Sequence, residues 1–544
     1  MLTERYGKPS TRNYDERDFM YISQLFNLFP AAGKETVDDI TWNDVQMPII
    51  YKQMNHSVSH IGDEYLYRHV RTQQYGELDR LEKHIRYFDE HPEERLKLQY
   101  AFYKINPEVR IPSPKRVIKQ MENQPAGNDY FSHLKNPDLL TKISVIPSIV
   151  ILILAVMACL SNLWLSPEDG LGILAIMLVF VGSLYNFIFF MRKAAGFIST
   201  LKTFSESVTA SVQIAKVDSA VFDKELQTLI PALKKLQRKS RLMNMLVNIC
   251  MMQNRSATFL SLITIFFGFY GFVYLWVAKT IKNNTKEAMI FYENIGYIEL
   301  CISQSSYRKT LSYYCAPEFS QETQIKFDEL YHPLLHNPVT NSRAVNPKFI
   351  ITGANASGKS TFAKTLAVNA ITSQTINICY AKKFSMHPAC VYTTMNLEDD
   401  IISGNSFYVA EIKRLKGFLD SLNDGSYKMF FADEILKGTN TMERIAAASA
   451  ILKKFAENNC FVCLTTHDTE LTGILQNYYT NYHFKEITTD TAICYDYKLY
   501  DGVTPGSNAI ALLKYSQYAA SIVEEASRLA QHYLNCGEWE ILNP

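Results

Sequence analysis

The sequence has no excess of charge of either sign. Lysine and arginine total 55 against 54 aspartate and glutamate residues, so the formal net charge is +1 over 544 residues. A strongly basic chain would favour general nucleic-acid binding, and that electrostatic argument is missing here. Any contact with DNA must therefore come from a local patch.

A disulfide framework and a leader-like N-terminus are also missing. The ten cysteines show no paired spacing, which favours a reducing compartment over a secreted disulfide scaffold. The first residues, MLTERYGKPSTRNYDERDF, are charged and polar, so no signal peptide is expected. Cys460 and Cys463 form a C-x-x-C pair within the apolar run CFVCL. We interpret them as positions on a buried strand, with a redox or metal role as the alternative.

The chain is long, and changes in its composition divide it into segments. A chain of 544 residues favours about two to four folded units. Residues 1–36 are polar and are predicted as an N-terminal lead-in. Residues 37–142 interleave charged and apolar side chains at helical spacing, which predicts an all-α domain. Residues 192–328 are predicted to continue that domain, ahead of a nucleotide domain over residues 329–544.

Two long apolar runs interrupt the helical domain. Residues 143–165 and 171–191 are each long enough to cross a hydrocarbon core of about 30 Å as a helix. The turn SPEDG between them is acidic, whereas basic residues such as Lys142 and Arg192 flank the pair. The positive-inside rule therefore predicts a transmembrane hairpin over residues 143–191 with both flanks in the cytoplasm. Two buried core helices are the alternative.

A third apolar run, residues 257–278, is harder to place. It is also long enough to span, but Arg255 lies on one side and Lys279 on the other, so charge gives no orientation. An odd number of crossings would separate domains that are expected to share one compartment. We therefore expect a re-entrant, interfacial or protein-packed helix here.

The stretch FIITGANASGKST, residues 349–361, carries the clearest chemical signal. Gly353 is followed by Gly358, Lys359 and Ser360 at the spacing GxxxxGK[ST], which is typical of a phosphate loop. Glycines let backbone N–H groups approach phosphate oxygens, and the following helix points its positive end at the same anion. Lys359 is expected to reach the outer phosphates and Ser360 to coordinate Mg²⁺. A glycine-rich turn with a chance Lys-Ser is the alternative.

Two later strand ends suit the same chemistry. Asp433 and Glu434 close the apolar segment KMFFADE, a Walker B form. In it Asp433 can bind the magnesium shell, and Glu434 can orient or deprotonate the attacking water. A third strand, residues 461–466, ends in His467, which can sense or polarise the terminal phosphate. A surface Asp-Glu pair is the alternative, but the two motifs in this order favour an ATPase.

A second helix N-terminus in the same domain has anion-binding character. Gly404, Asn405 and Ser406 precede the helical segment FYVAEIKRLKGFL. The phosphate loop already serves one nucleotide. This spare helix end is therefore expected to cap the nucleotide of a second protomer, which predicts a homodimer through the nucleotide domains.

Together these motifs resemble the MutS-type mismatch-repair ATPases, members of the ABC-like ATPase class. GANASGKST resembles the family's GPNMGGKST, DEILKGTNT its DEIGRGTST, TTHDTEL its ATHYHEL and SGNSFYVAE its SGRSTFMVE. The four motifs occur in the family's order over about residues 330–530. Upstream, His332 and Pro333 are similar to a His-Pro step before the family's ATPase domain, and residues 55–71 to the start of its helical core. The tail GVTPGSNAIALLKYSQYAASIVEEA resembles the closing helix-turn-helix that helps protomers pair.

The resemblance implies a fold and a set of site residues. The expected fold is an α/β ABC-type P-loop ATPase domain, preceded by an all-α MutS-core-like domain that carries the predicted transmembrane hairpin. Catalysis is assigned to Glu434 and His467, and Mg²⁺ to Ser360 and Asp433. The residues expected to bind ATP are Gly353, Asn355, Gly358, Lys359, Ser360, Thr361, the Q-loop-like Gln374 and, toward the partner's nucleotide, Ser406.

The sequence also departs from the family's pattern. The core-like segment begins near residue 40, so a mismatch-reading domain and its Phe-x-Glu reader are not expected. Asn405 and Lys437 stand where the family has arginine, so coupling between sites is expected to differ. The predicted hairpin lies where the family has its long lever and clamp helices.

The leading hypothesis is a membrane-anchored MutS-like ATPase, multi-pass in the cell membrane, with its helical and ATPase domains in the cytoplasm. ATP binding and hydrolysis would drive rearrangement of a homodimer in DNA mismatch repair or a related DNA transaction. Mismatched or branched DNA and the lipid bilayer are the expected partners. The alternative is a membrane mechanoenzyme, or an ATP-dependent switch or scaffold, that does not bind DNA.

Overall fold

The structure is a computed structural model of the chain. It describes, apart from isolated positions elsewhere, residues 2–12, 14–23, 26–27, 34–105, 205–250, 283–354, 356–395, 407–488, 493–504 and 516–542. The helices are, in chain order, α1 (Leu2–Arg5), α2 (Glu16–Ile22), α3 (Asp39–Asp44), α4 (Met47–Met54), α5 (His60–Val70), α6 (Leu78–Glu90), α7 (Pro92–Tyr103), α8 (Asp223–Cys250), α9 (Thr285–Arg308), α10 (Lys359–Ile376), α11 (Phe407–Ser421), α12 (Thr441–Ala456), α13 (Thr469–Ile474) and α14 (Ala520–Cys536). The strands are β1 (Glu318–Phe319), β2 (Ile325–Leu330), β3 (Asn341–Val345), β4 (Lys348–Thr352), β5 (Lys383–Met386), β6 (Cys390–Thr394), β7 (Lys428–Asp433), β8 (Cys460–Thr465), β9 (Thr480–Thr488) and β10 (Ile493–Asp501).

The chain divides into two compact units, which we call the helical unit and the nucleotide unit. The helical unit comprises residues 1–30, 54–68 and 83–310. The nucleotide unit comprises residues 31–53, 69–82 and 311–544. This division differs from the predicted domains, because two segments within residues 37–142 group with the nucleotide unit.

In the helical unit, α5 and α9 approach each other closely. A Cβ atom on Gly62 of α5 would lie only 2.5 Å from the Glu299 carboxyl carbon of α9, so a larger residue there would displace that carboxylate. The Glu299 carboxylate accepts hydrogen bonds from the Ser59 backbone N–H, at 2.7 Å, and from the Val58 backbone N–H and the Ser59 hydroxyl. A buried side chain therefore satisfies the N–H groups at the start of α5, which lack partners within their own helix. Burial raises the pKa of Glu299 to about 7.

The structure contradicts the predicted membrane localisation. Within the described part of the chain, no helix combines the length and the apolar content needed to cross a bilayer. The two longest described helices, α8 and α9, carry charged side chains along their length. The apolar runs at 143–165, 171–191 and 257–278 lie outside the described residues, except at isolated positions. The multi-pass localisation and the bilayer partner are therefore withdrawn, and the predicted hairpin finds no support among the described residues.

The nucleotide unit is built on two mixed sheets. The six-stranded sheet has the order β10-β9-β4-β8-β7-β6, parallel except for the antiparallel edge strand β10. The four-stranded sheet has the order β1-β5-β2-β3. In the larger sheet Thr465 is paired with both Ile351 and Asp433, which brings the carboxyl ends of β4, β8 and β7 side by side. This α/β P-loop architecture with mixed sheets confirms the predicted fold of the nucleotide domain.

Helix α10 lies between the two sheets. Its Phe362 contacts Phe327 of the smaller sheet and Phe484 of the larger one, with ring centroids 5.9 and 5.8 Å apart. Most of its side chains are buried on all sides. Such a helix carries no apolar stripe, because it has no solvent face. The N-terminus of α10 is thereby fixed at the carboxyl edge of the larger sheet.

The edge strand β6 is covered by α3, although the two elements are about 350 residues apart in the sequence. The Thr393 N–H donates to the Thr41 hydroxyl at 3.2 Å, and the Met395 N–H to the Asp44 carboxylate at 2.8 Å. Edge strands otherwise expose unpaired backbone groups. These contacts explain why residues 31–53 belong to the nucleotide unit.

Cys460 and Cys463 are both buried on β8. Residues three apart on a strand point to opposite faces of the sheet, so these two thiols cannot chelate one ion. Burial raises the pKa of both thiols, to about 11 for Cys460. Their interpretation as strand positions agrees with this placement.

Candidate functional site

The turn between β4 and α10 needs its two glycines. Gly353 and Gly358 have φ angles of +141° and +108°, a region that other residues rarely adopt. A Cβ atom on Gly353 would lie 2.9 Å from the Phe484 carbonyl oxygen, and one on Gly358 would lie 3.2 Å from the Tyr497 ring. The chain therefore passes close to β9 and β10 before α10 begins. Ser360 and Thr361 lie in the first turn of α10, whose N–H groups have no acceptor within the helix.

Lys359 folds back onto this turn. Its Nζ donates to the carbonyl oxygens of Gly353 and Ala354 at 2.6 and 2.8 Å, and the residue is 4% exposed. Burial lowers the pKa of Lys359 to about 8, although the nearby Glu434 and Asp433 carboxylates oppose the shift.

The interior of the turn fits a phosphate group. The Ser357 hydroxyl is fully buried and has no hydrogen-bond partner among the described residues. A buried polar group without a partner costs about 1–3 kcal/mol. A phosphate oxygen would accept from such a hydroxyl, from the Lys359 ammonium and from the first N–H groups of α10.

Glu434 is held between His467 and Lys437. Its Oε1 lies 2.8 Å from His467 Nε2, and its Oε2 lies 3.4 Å from Lys437 Nζ. The hydrogen bond from His467 is the largest cause that lowers the pKa of Glu434 to about 2; burial opposes it and Lys437 adds to it. His467 Nε2 is also 3.3 Å from Lys359 Nζ. The ends of β4, β7 and β8 thus bring Lys359, Glu434 and His467 into one cluster.

The backbone at Glu434 is unusual. Its φ angle is +56°, which costs on the order of 1 kcal/mol or more for a residue other than glycine. The conformation is held by a hydrogen bond from the Glu434 N–H to the Thr465 carbonyl oxygen at 2.8 Å. It is also supported from α11, where buried Glu411 accepts from the Leu436 N–H at 2.7 Å. The contacts with β8 and α11 therefore hold Glu434 in this strained conformation.

Asp433 closes β7 beside this cluster, and the Thr465 hydroxyl donates to its Oδ1. No group of three or more His, Cys, Asp or Glu side chains able to hold a metal occurs in the part of the chain that the structure describes. Mg²⁺ does not require one, because it usually takes one or two protein oxygens together with phosphate and water. The hydroxyl of Ser360 and the carboxylate of Asp433 are donors of that kind.

Lys359, Glu434 and His467 line a cavity of about 390 Å³, within the range of about 300–1,000 Å³ found for ligand sites. One wall is the turn with Lys359, Glu434 and His467; the other includes His332, Pro338 and Tyr497. Burial lowers the pKa of His332 to about 4, and Lys364 adds to the shift. Because the Leu334 N–H donates to His332 Nδ1 at 3.3 Å, the proton of this neutral ring lies on Nε2.

Sequence reasoning missed Tyr497. It lies on β10 in a register shift between Tyr495 and Leu499, with a φ angle of +55°. The Asn341 side chain holds the shift open by donating to the Tyr497 carbonyl oxygen at 3.0 Å and accepting from the Leu499 N–H at 2.9 Å. A bulge of this kind re-aims a side chain, here into the cavity. No local sequence signal marks it, because it depends on a residue about 156 positions away.

The structure places Gln374 away from the cavity. It lies in the last turn of α10, about 22 Å along the helix axis from Lys359 at 1.5 Å per residue. It is 1% exposed, donates to the Ala370 and Ala389 carbonyl oxygens, and accepts from the Ala389 N–H. Its assignment to ATP is therefore corrected: Gln374 joins α10 to the segment before β6. Asn355 and Ser406, with Gly404 and Asn405, lie outside the described residues, so their roles stay predictions.

Comparison with known proteins bears directly on this geometry. Residues 349–533 match the family model described as MutS domain V. The nucleotide unit therefore contains a MutS-type domain V. The chain is 30% identical to mouse MutS protein homolog 4 over 278 residues, which cover 47% of this chain and 28% of the relative. It is 29% identical to the human MutS protein homolog 4 over 281 residues, covering 48% and 30%. The family resemblance is confirmed, and the matched part spans less than a third of either relative.

Proposed function

We propose that this MutS-family chain binds ATP with Mg²⁺ in the cavity beside α10 and hydrolyses it. The observation that carries the proposal is the meeting of Lys359, Glu434 and His467 at three neighbouring strand ends, with contacts of 3.3 and 2.8 Å. Phosphoryl transfer needs this combination of a phosphate-binding cation, a water-orienting carboxylate and a group that contacts the terminal phosphate.

In this proposal Lys359 exchanges its two carbonyl acceptors for phosphate oxygens, while the first turn of α10 supplies N–H donors. Ser360 and Asp433 hold Mg²⁺, which neutralises phosphate charge when it is bound. The wall with His332, Pro338 and Tyr497 takes the base, because it offers an aromatic face and a neutral N–H donor.

Glu434 is a weak base in the arrangement described above, since a pKa of about 2 lies far below a working pH near 7. His467 supplies the largest part of that shift. When His467 turns toward a terminal phosphate, Glu434 loses that hydrogen bond and its pKa rises toward the ordinary range. The same movement thus senses the nucleotide and activates the carboxylate that positions water.

Magnesium-dependent phosphate release by the purified chain tests the enzymatic part of this proposal. We expect saturable release that requires Mg²⁺ and is lost in Lys359→Ala. Release that is absent, or that is equal in the parent and in Lys359→Ala, would refute it.

We further infer that two copies pair through their nucleotide units, with Ser406 of one completing the site of the other. The link from Glu411 on α11 to Leu436, two residues after Glu434, supports this inference because α11 directly follows the predicted Ser406 segment. Glu434→Gln with MgATP should elute as a dimer in light-scattering chromatography, and Lys359→Ala as a monomer. A monomeric Glu434→Gln protein with ATP bound would refute the proposal that two copies share the site.

DNA is the proposed macromolecular ligand, in mismatch repair or a related DNA transaction. It rests on the family alone, since the net charge of +1 gives no general attraction. Gel-shift assays at moderate salt with mismatched, branched and plain duplexes, with and without nucleotide, test it. Preferential binding of one of these DNA structures supports the proposal. If none of the duplexes binds, the alternative of an ATP-dependent assembly switch is favoured.

A further inference from the structure

A paired arginine and aspartate lie beside the catalytic cluster without lining the cavity. Arg444 belongs to the first turn of α12, the helix that follows the loop after Glu434. Asp468 follows His467 directly at the end of β8. Arg444 Nε donates to Asp468 Oδ2 at 2.9 Å, and Nη2 donates to Oδ1 at 2.6 Å. The pair therefore joins the loops that leave β7 and β8.

The geometry of this ion pair restricts both partners. Two parallel N–H···O bonds fix the guanidinium and carboxylate planes relative to each other, which a single contact does not. Arg444 and Asp468 are only 23% and 16% exposed at their side chains, so water competes less than at an open surface. The hydrogen bond that Arg444 donates to Asp468 is the largest cause that raises the pKa of Arg444.

The side chain of Asp468 does not cap the helix that it precedes. Asp468 is the N-cap residue of α13, where an aspartate normally accepts from a backbone N–H of the first turn. Its side chain makes no such cap. The carboxylate turns instead to Arg444, and the Asp468 N–H donates to the Thr466 hydroxyl at 3.0 Å. Both neighbours of His467 are thus held in place.

We propose that Arg444 and Asp468 are positioning residues that set His467 against Glu434 and the terminal phosphate. This inference rests on the proposed ATPase function. It follows from the 2.8 Å contact between His467 and Glu434, because a shift of about 1 Å in a catalytic group can cost roughly 100-fold in rate. Neither positioning residue touches the nucleotide, so the pair governs turnover rather than ATP binding.

The test compares kcat and KM for ATP in the full chain. Arg444→Met and Asp468→Asn should each lower kcat by about tenfold or more, with KM within about threefold of the parent. Arg444→Lys keeps the charge but loses the fork and should lie in between. The exchange Arg444→Asp with Asp468→Arg should recover part of the loss. Lys454→Met, which removes an exposed ion pair with Glu457 on the same helix, is the matched control and should equal the parent.

A second readout does not depend on turnover. The rate at which diethylpyrocarbonate modifies His467, followed by peptide mass spectrometry, should rise severalfold in Arg444→Met and Asp468→Asn. A parent without ATPase activity would refute the proposed function, and the modification rate would still decide the positioning role. Unchanged kcat and unchanged modification in folded Arg444→Met and Asp468→Asn would overturn the inference.

Discussion

Two glutamates, one in each unit, show how surroundings give the same side chain opposite properties. Glu299 in the helical unit is buried and accepts from two backbone N–H groups and a serine hydroxyl, and its pKa rises to about 7. Glu434 in the nucleotide unit lies at a cavity between His467 and Lys437, and its pKa falls to about 2. At Glu299 burial outweighs the hydrogen bonds, whereas at Glu434 the hydrogen bond from His467 and the charge of Lys437 outweigh burial. The first carboxyl group therefore supports a helix, and the second is kept ionised beside the candidate nucleotide site.

The largest effect should come from Lys359→Ala, which removes the buried ammonium group of the candidate nucleotide site. ATP affinity should fall by about 100-fold or more, because a buried phosphate contact is lost together with its charge. The melting temperature without nucleotide should change little, because both hydrogen bonds that Lys359 donates to carbonyl oxygens lie within its own turn and its remaining contact, with His467, is a long one. Isothermal titration and thermal unfolding on the same samples measure both. Tight ATP binding by this variant would place the nucleotide elsewhere.

Glu299→Ala should mainly affect stability. It leaves two backbone N–H groups and the Ser59 hydroxyl without their acceptor, which should lower the free energy of unfolding by about 1–3 kcal/mol. ATP affinity should remain that of the parent. Denaturant unfolding and ATP titration test the two halves, and a loss of ATP affinity without a loss of stability would reverse the assigned roles.

The same residue predicts a pH dependence of stability. Its pKa of about 7 in the folded chain lies above the ordinary value of 4.5, so its stabilising contribution is complete below about pH 4.5 and is lost as pH rises through 7. Glu299→Gln cannot ionise and should lack this component. Subtracting the unfolding profiles of the two proteins between pH 5 and 8 isolates it. Parallel profiles would show that the carboxyl group does not titrate in this range.

Lys359 should make ATP affinity depend on pH with a smaller, graded effect. Phosphate favours the ammonium form, and the pKa of Lys359 in the free chain is about 8. Affinity should thus fall by about tenfold from pH 7 to pH 9. Lys359→Arg stays protonated throughout and serves as the control, with a flat profile at whatever affinity it retains. An equally steep loss in that variant would assign the titration to another group.

Gln374→Met should produce the smallest effect on the site. Gln374 lies in the nucleotide unit, but its side chain holds the segment before β6 and not the ligand. The free energy of unfolding should fall by about 1–2 kcal/mol, because the Ala389 N–H and carbonyl lose their partner. The dissociation constant for ATP should stay within about twofold of the parent. A large loss of ATP affinity in a folded variant would restore the Q-loop role.

Local motifs predicted most of the candidate site. Lys359, Glu434 and His467 each follow a buried strand, and the carboxyl ends of parallel strands meet at one edge of a sheet. Their convergence follows from that rule, and the structure brings them together. The assignment of Gln374 rested on the family resemblance alone, and Gln374 lies at the opposite end of α10 from Lys359.

Long-range contacts could not be predicted in this way. Tyr497 reaches the cavity through a bulge held by Asn341, and α3 joins the nucleotide unit by covering β6 from residues about 350 positions away. Asp468 lies within the motif TTHDTEL and Arg444 follows DEILKGTNT, but neither motif indicates that the two side chains pair. The membrane prediction rested on apolar length and flanking charge, and the described helices include none that could span a bilayer.

Single-turnover hydrolysis of ATP labelled at its γ-phosphate, measured side by side for the parent chain and Glu434→Gln, tests whether Glu434 acts on the attacking water. We expect both proteins to bind ATP with similar affinity. We also expect Glu434→Gln to cleave ATP about 100-fold or more slowly, because its side chain can no longer act on water. Equal cleavage rates in the two proteins, at equal ATP occupancy, would contradict this role of Glu434.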